Sequence, residues 1–353
     1  MSILPIWQSF LRGSGAVFAA ERLAHFGSPG AESHSALQGS VLVDLSHLAL
    51  IAVSGLDAER LLQGQFTNDI RQLGDHYAQL SAWCSPKGRV LTNFLVFSRP
   101  NAYFLQLPQQ MLESTLKRLR LYVLRADVQV VDASADLVRI GFSGLEPLAR
   151  LQQELKAAPA AIDDVLQVDA VTVIRLRGVQ PRYEIVGPLN AVQPLWRSLA
   201  EVARPVGASA WALLDIVAGL PTIYPETSDE FVPQMINWDL LGGISFTKGC
   251  YSGQEVIART QYLGKLKRRL HLAHVDTLAN LRPGLPLVAD EGERARTIGK
   301  VINAEAHPDG GWELLVVIPL ADTEHTSLHL GRHQGPELRL KPLPYATETE
   351  AAS

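Results

Sequence analysis

The order of hydrophobic and polar positions divides roughly the first 265 residues into short strands and amphipathic helices. The apolar run at 41–54 predicts two strands, and a helix follows them. In a second predicted helix, Leu112, Leu116 and Leu119 share one face and basic residues lie opposite. Strands and helices do not alternate in a regular βαβ order, so the pattern predicts an α+β fold.

Two further helices are predicted in the middle of the chain. The first follows Gly187–Pro188, and Pro194 restricts where it can begin. Its predicted apolar side consists of Val192, Leu195, Trp196, Leu199 and Val202. The second helix has the sequence SAWALLDIVAG and ends at Gly219, with Pro221 just beyond.

The pattern changes after about Arg269, where short strands are separated by proline and glycine turns. No helix is predicted there, and we expect a small C-terminal β-barrel. The predicted domains are therefore an α+β body at 1–265, with two subdomains and a break near 135–145, and a barrel with a tail at 266–353.

Composition favours a folded protein and excludes several classes of function. The chain has 353 residues, of which 47% are hydrophobic and 19% are charged, and its net charge is 32 − 36 = −4. No global attraction to nucleic acid is expected from that charge. We expect no secretory signal, since no cationic region precedes the first apolar residues, and no membrane span, since no apolar run approaches ~20 residues.

The cysteine count argues against a resident metal. Cys84 and Cys250 are the two thiols of the chain, too few for a four-cysteine site or a disulfide framework. We expect no metal of the protein's own, and a reducing cytoplasm is the simplest location.

Candidate chemistry concentrates in the segment 241–260. Cys250 follows Lys248 by two residues, and a thiol beside a cation has a lowered pKa and greater reactivity. Burial as a small packing residue is the alternative for a free cysteine. Gln254 and Glu255 are predicted to begin a short helix, with the acidic side chain near the helix N-terminus.

The eight residues KGCYSGQE at 248–255 resemble the signature K-G-C-[YF]-x-G-Q-E of YgfZ-type folate-binding proteins, relatives of mitochondrial iron–sulfur assembly factors. Other blocks of the chain agree with that family in the same order. They are SGLDAERLLQGQFTNDI at 54–70, SPKGRVLTNFLVF at 85–97, AGLPTIYPET at 218–227, FVPQM at 231–235 and PLPY at 342–345.

The resemblance implies the fold of the aminomethyltransferase T-protein superfamily, a folate-binding α+β body with a C-terminal β-barrel. It also implies a tetrahydrofolate-type ligand, a cytoplasmic location and a role in tRNA modification through iron–sulfur enzymes such as tRNA methylthiotransferases. The functional thiol carries over to Cys250, and Trp211 matches a family tryptophan that serves as an aromatic wall for folate. The remaining candidate ligand-binding residues are Lys248, Tyr251, Gln254, Glu255, Arg259 and Asn93.

Three positions depart from the folate-dependent T-proteins. Their catalytic aspartate falls at Thr92–Asn93, and an amide cannot accept a proton as a carboxylate does. A second family tryptophan is Leu48 here, and a family glutamate that could pair with the pterin is Val217. Losing a charged partner of this kind costs about 1.5–3 kcal/mol. These departures favour an accessory protein without catalysis, or with weak catalysis.

Two other functions stay open. One is a folate-dependent one-carbon (aminomethyl) transferase. The other is a tRNA-binding module that uses Lys267, Arg268 and Arg269, in a stretch where Lys248, Arg259 and Lys265 add to the positive charge. A solvated strand face is the simpler interpretation of that run. An iron–sulfur carrier is disfavoured because the chain has too few thiols.

Overall fold

The computed structural model describes residues 4–20, 22–145, 147–291, 294–322 and 327–345. The helices are α1 Leu4–Gly13, α2 Pro29–Gln38, α3 Ala58–Gln65, α4 Leu112–Val123, α5 Pro147–Leu155, α6 Leu189–Leu199, α7 Ala208–Val217 and α8 Gln254–Tyr262. The first ten strands are β1 Val17–Ala19, β2 Arg22–His25, β3 Val41–Asp44, β4 Leu48–Ser54, β5 Gln79–Cys84, β6 Val90–Arg99, β7 Ala102–Pro108, β8 Gln129–Asp132, β9 Val138–Ser143 and β10 Val165–Val168. The remaining strands are β11 Val171–Leu176, β12 Arg182–Gly187, β13 Arg204–Val206, β14 Arg268–Val275, β15 Pro286–Glu291, β16 Arg294–Ala306, β17 Trp312–Pro319, β18 Leu328–Leu330 and β19 Leu338–Lys341.

The chain forms two compact units built from interleaved segments. Unit 1 contains the described residues up to Leu62, together with Ile70–Gln79 and Phe94–Leu214. Unit 2 contains Gln63–Asp69, Leu80–Asn93 and the described residues from Asp215 onward. The domain boundaries expected from the sequence, at 135–145 and at 265, stay a prediction.

Unit 1 contains a six-stranded sheet in the order β10-β11-β12-β9-β3-β13, in which β3 and β13 are parallel. Alternating residues of β9 and β12 face a core that includes Ile140, Tyr183 and Ile185 and that Trp7 of α1 and Trp196 of α6 complete. The other residues of the same two strands are also buried, although several of them are polar. This second face holds one of the candidate sites.

A second sheet of unit 1 places β4 between β7 and β8. Helix α4 packs on β8 and β4, and its Leu112, Leu116 and Leu119 are buried. The predicted apolar face of this helix is therefore confirmed.

Helix α6 differs from the prediction in two respects. It begins at Leu189 and contains Pro194 in its interior, so the proline does not set its start. Burial of the apolar side of the helix in the unit 1 core outweighs the one backbone hydrogen bond that Pro194 cannot make. Val202 lies beyond the helix and is 42% exposed, so its predicted place on the apolar side of this helix is wrong.

Unit 2 contains a curled half-barrel of six strands in the order β18-β15-β16-β17-β14-β19. Its neighbouring strands pair antiparallel, and a bridge between His329 and Glu337 links its two ends. The predicted α+β class with a small C-terminal barrel is confirmed in this form. Among the described helices, none combines the length and the hydropathy that a membrane span requires.

Candidate functional site

Lys248 anchors the signature segment, which we define as residues 248–256, within unit 2. Its side chain is only 5% exposed, and its Nζ donates hydrogen bonds to the carbonyl oxygens of Gln63 at 2.8 Å, Phe66 at 2.6 Å and Asn68 at 2.8 Å. These carbonyls lie at and just beyond the C-terminal end of α3, where backbone acceptors lack helical partners and the helix dipole is negative. A buried ammonium group there satisfies the acceptors and neutralises the dipole.

Tyr251 forms the second buried support of the segment. Its ring lies 5.0 Å from the Nζ of Lys248, and its side chain belongs to a core that includes Cys84, Val90 and Ile257. Burial, and then the neighbouring thiol of Cys84, raise the pKa of Tyr251. The phenol is therefore neutral, and it acts as a packing group.

Gly253 lets the signature segment lie directly against the SPKG turn at 85–88. Its φ is +81°, and a Cβ atom there would come within 2.5 Å of the Ser85 carbonyl oxygen and 2.8 Å of Gly88 Cα. A larger residue would be strained and would clash with backbone. Helix α8 begins at the next residue, so two of the family-like blocks meet at this glycine.

The two cysteines occupy opposite environments. Cys250 is exposed and Cys84 is buried, and burial raises the pKa of the Cys84 thiol. Lys248 and Tyr251, on either side of Cys250 in the sequence, are therefore buried, while the thiol itself faces solvent. Its role, and those of Gln254, Glu255 and Arg259 as ligand-binding residues, stay predictions. Glu255 and Arg259 are exposed and Gln254 is partly exposed.

Asn93 holds the LPTI backbone at 220–223. Its Nδ2 donates to the Pro221 carbonyl at 2.7 Å, and its Oδ1 accepts from the Ile223 amide at 3.0 Å. Asn303, at a bulge of β16, accepts from the Thr222 amide at 2.9 Å and donates to the Thr222 carbonyl at 3.0 Å. We call the two hydrogen bonds of Asn93 the clamp at position 93. Because a carboxylate cannot donate, an aspartate there would lose the bond to the Pro221 carbonyl.

Arg269 is part of the interior of unit 2. Its guanidinium group forms two hydrogen bonds with Asp239, at 2.9 and 3.0 Å, and a third with the Gln234 carbonyl at 3.1 Å. Lys267, two residues earlier, is exposed. The basic stretch predicted from the sequence therefore contains both a structural ion pair and surface cations.

Trp211 lies in unit 1, on α7, and is buried. Its ring rests against the backbone of Gly141, where a Cβ atom would come within 2.7 Å of the ring carbons. The guanidinium group of Arg182 lies 4.2 Å from the ring centroid. Glu184 pairs across strands with Gly141, so a charged residue neighbours the glycine on which the ring packs.

A chain of buried polar side chains begins at this tryptophan, and we call the group Trp211, Arg182, Glu184, Gln106 and Arg139 the Trp211 cluster. Gln106 donates to Glu184 Oε2 at 2.8 Å, and Arg139 donates to the carbonyl of Leu48 at 2.9 Å. Burial lowers the pKa of Arg139, while Glu184 opposes that shift.

Several atoms of the Trp211 cluster lack hydrogen-bond partners within the described part of the chain. They include Oε1 of Gln106 and both Nε and Nη1 of Arg139. Unsatisfied buried groups are costly, so this arrangement suits a polar ligand with its own donors and acceptors. The aromatic wall at Trp211 is an expectation of the family resemblance and stays a prediction, whereas Arg139, Glu184 and Gln106 were not singled out from the sequence. Their signal was charged and amide residues inside apolar strands, as in VRIGFS and RYEIVG.

No group of three or more His, Cys, Asp or Glu side chains is placed to hold a metal ion in the described ranges. The absence of a resident metal stays a prediction.

The fold and one matched domain define the class of protein. The structure is similar to the glycine cleavage system aminomethyltransferase T from Bartonella henselae, with a TM-score of 0.78 and 18% identity over 96% of each chain. Residues 15–241 match the family of the GCVT N-terminal domain. The protein is therefore aminomethyltransferase-like.

Curated relatives specify the family further. The chain is 33% identical over 320 residues to the tRNA-modifying protein YgfZ of Klebsiella pneumoniae, covering 91% of this chain and 97% of that protein. It is 31% identical over 314 residues to the tRNA-modifying protein YgfZ of Colwellia psychrerythraea, covering 89% and 96%. The chain belongs to the YgfZ family.

Proposed function

We propose that this protein is a cytoplasmic, folate-binding accessory factor in tRNA modification, and that it supports iron–sulfur enzymes such as tRNA methylthiotransferases. Cys250 supplies the functional thiol, and the protein itself has little or no transferase activity. The relatives named above are tRNA-modifying proteins, which supports the assignment to this process.

One observation carries the proposal: an exposed thiol lies between two buried residues of the signature segment. Lys248 and Tyr251 are buried on either side of Cys250. A nucleophile that is presented on a rigid support loses less entropy when it reacts or binds. A purely structural cysteine would gain nothing from such exposure.

The clamp at Asn93 supports the accessory role over a folate-dependent transferase. Both polar atoms of its amide are occupied by backbone groups of Pro221 and Ile223. A general base needs a basic atom that is directed at the substrate, and this side chain does not offer one.

The Trp211 cluster supports folate binding. Trp211 would form an aromatic wall beside the ligand, while Gln106 and Arg139 would bind the polar edge of the pterin through the atoms that lack partners within the described residues. When bound, a reduced folate supplies a carrier for one-carbon groups. These side chains orient it and exclude water.

A complementation experiment tests the role of the thiol. In a strain without the gene, we expect methylthiolated tRNA to fall, and the parent protein and Cys84→Ala to restore it. Cys250→Ala and Cys250→Ser should both fail to restore it. Mass spectrometry of tRNA nucleosides measures the outcome, and full restoration by Cys250→Ala would remove the thiol from the function.

A titration with tetrahydrofolate tests the ligand. We expect saturable quenching of tryptophan fluorescence that is lost in Trp211→Phe and retained in the matched variant Trp312→Phe of the half-barrel. An unchanged titration in Trp211→Phe would contradict the proposed ligand position. Turnover of an aminomethyl donor to formaldehyde-linked tetrahydrofolate by the purified protein would instead establish a transferase.

A further inference from the structure

The end of helix α8 presents exposed rings and cations on one surface of unit 2. Tyr262 is 68% exposed and Leu263 is 85% exposed. The ring of Tyr262 meets that of Phe246 nearly edge-on, with centroids 6.0 Å apart and an interplanar angle of 71°. This contact restrains the tyrosine ring while leaving most of the residue open to solvent. A restrained aromatic ring loses little entropy when a planar group stacks on it.

Three cations accompany this ring. Arg259 lies one helical turn before Tyr262, and Lys265 and Lys267 follow it; all three are exposed. Within the described ranges, their side chains form no ion pair or hydrogen bond. By contrast, Arg269 in the same stretch is paired with Asp239. The charge of the three exposed cations is thus available to an external anion.

We define the α8-end surface as Phe246, Arg259, Tyr262, Lys265 and Lys267. Its chemistry fits RNA better than other anionic partners. Lysine and arginine bind phosphates without sequence preference, and exposed aromatic rings stack on unpaired bases. An acidic protein surface would use the cations but would gain no stacking from the restrained tyrosine.

We infer that the α8-end surface binds an unpaired loop of RNA, with Tyr262 stacked on a base and Arg259, Lys265 and Lys267 on the phosphates. The inference rests on the proposed function in tRNA modification and names an RNA partner for a surface next to the signature segment. It does not require the thiol of Cys250. It also replaces the cation set expected from sequence, since Arg269 is buried.

Fluorescence anisotropy of the full chain with a labelled tRNA anticodon stem–loop, between 50 and 200 mM KCl, tests the inference. Tyr262→Ala should weaken binding about 5- to 100-fold, whereas Tyr262→Phe should keep the parent affinity. The double variant Lys265→Gln/Lys267→Gln should reduce the slope of log K against log salt by about 1.4, as expected for two lost phosphate contacts on a single strand.

A matched double variant in unit 1, Lys117→Gln/Arg125→Gln, removes the same charge from two exposed residues. It should leave the salt dependence unchanged, and an equal loss there would show diffuse attraction and overturn the inference. Absence of binding at 50 mM KCl, or competition by polyglutamate as effective as that by RNA, would also overturn it. Circular dichroism and the Tm check that each variant is folded.

Cys250→Ala separates this inference from the proposed function. We expect it to bind the stem–loop like the parent while failing to restore methylthiolated tRNA. If Cys250→Ala restores the modification but Tyr262→Ala weakens binding, the thiol function fails and the RNA surface stands. If Tyr262→Ala binds normally, the RNA surface fails whatever the result at the thiol.

Discussion

The signature segment of unit 2 and the Trp211 cluster of unit 1 use polar residues in opposite ways. In the signature segment, the ammonium group of Lys248 is bonded to three backbone carbonyls and the thiol of Cys250 is exposed. In the Trp211 cluster, Gln106 and Arg139 are buried with polar atoms that lack partners in the described chain. Lys248, a conspicuous residue of the sequence motif, therefore has a structural role. Gln106 and Arg139, which no motif marks, retain polar atoms without partners in the described chain.

The difference has an energetic basis. A buried hydrogen bond to a charged group contributes about 1.5–3 kcal/mol, and a buried polar group without a partner costs about 1–3 kcal/mol. The hydrogen bonds of Lys248 therefore stabilise the fold, whereas the atoms of the Trp211 cluster that lack partners among the described residues lower its stability.

The two thiols should differ most. We expect a disulfide reagent to label Cys250 at least about 1000-fold faster than Cys84, because labelling of a buried thiol with a raised pKa waits for opening of the structure. Stopped-flow and manual kinetics on Cys84→Ala and Cys250→Ala measure the two rates separately. Comparable rates would mean that the signature segment does not present its thiol.

Replacing the anchor of the signature segment should destabilise the fold strongly. Lys248→Met removes the ammonium group from three carbonyls, and we expect the free energy of unfolding to fall by about 3–5 kcal/mol. Urea denaturation measures it. The exposed Lys267→Met should change it by less than about 0.5 kcal/mol, and equal effects would contradict the scaffold role.

The clamp at position 93 should be specific for an amide. Asn93→Asp retains the acceptor for Ile223 but loses the donor for Pro221, so we expect a loss of about 2–3 kcal/mol in stability. The exposed Asn190→Asp serves as the control and should be nearly neutral. If Asn93→Asp unfolds at the same urea concentration as the parent protein, the hydrogen bond to Pro221 contributes little.

Acid should act in opposite directions on two buried groups, His271 and Asp44. Burial, and then the positive Arg269, lower the pKa of His271 in unit 2 to about 4. The stability due to this neutral ring is present above its unfolded pKa of ~6.5 and is lost as the pH falls towards the folded value, about 2 kcal/mol by pH 5. Burial raises the pKa of Asp44 in unit 1 despite its hydrogen bonds, so its contribution grows as the pH falls.

Unfolding of the parent and of His271→Gln at pH 7 and pH 5 measures this difference. The variant should lose less stability between the two pH values than the parent does. Equal losses would indicate that His271 titrates normally in the folded protein.

The smallest effect should come from the buried face that carries the Trp211 cluster. Oγ of Ser143 is buried and has no hydrogen-bond partner within the described residues. Ser143→Ala should therefore leave stability unchanged or raise it by up to about 1 kcal/mol. A clear loss in urea denaturation would mean that this face is already satisfied and holds no capacity for a ligand.

Features that depend on local pattern could be predicted from the sequence. The strands at 41–54, the buried face of α4 and the curled barrel follow from the period of apolar residues and from turn residues. Helix α1 was not predicted, although Leu4, Trp7 and Leu11 follow a helical period and two of them are buried, because ten residues repeat that period for fewer than three turns.

The construction of the sites could not be predicted, since it depends on long-range contacts. Lys248 meets the carbonyl of Gln63 across 185 positions of sequence, and no local pattern marks a backbone carbonyl as its partner. The sequence favoured a cation beside a thiol at this place. In the structure, the ammonium group of Lys248 bonds to carbonyls at the end of α3. Whether a lysine acts on a neighbouring thiol or anchors its own segment therefore depends on its three-dimensional surroundings.

The distance along the chain between Lys248 and its acceptors also has a consequence during protein synthesis. The peptide that carries Gln63, Phe66 and Asn68 leaves the ribosome at least 180 residues before the lysine that completes its hydrogen bonds. At cellular elongation rates this interval lasts roughly 10–40 s. Throughout that time the carbonyl oxygens at the end of α3 lack the ammonium group that bonds them in the folded protein, so this helix end is completed only late in synthesis.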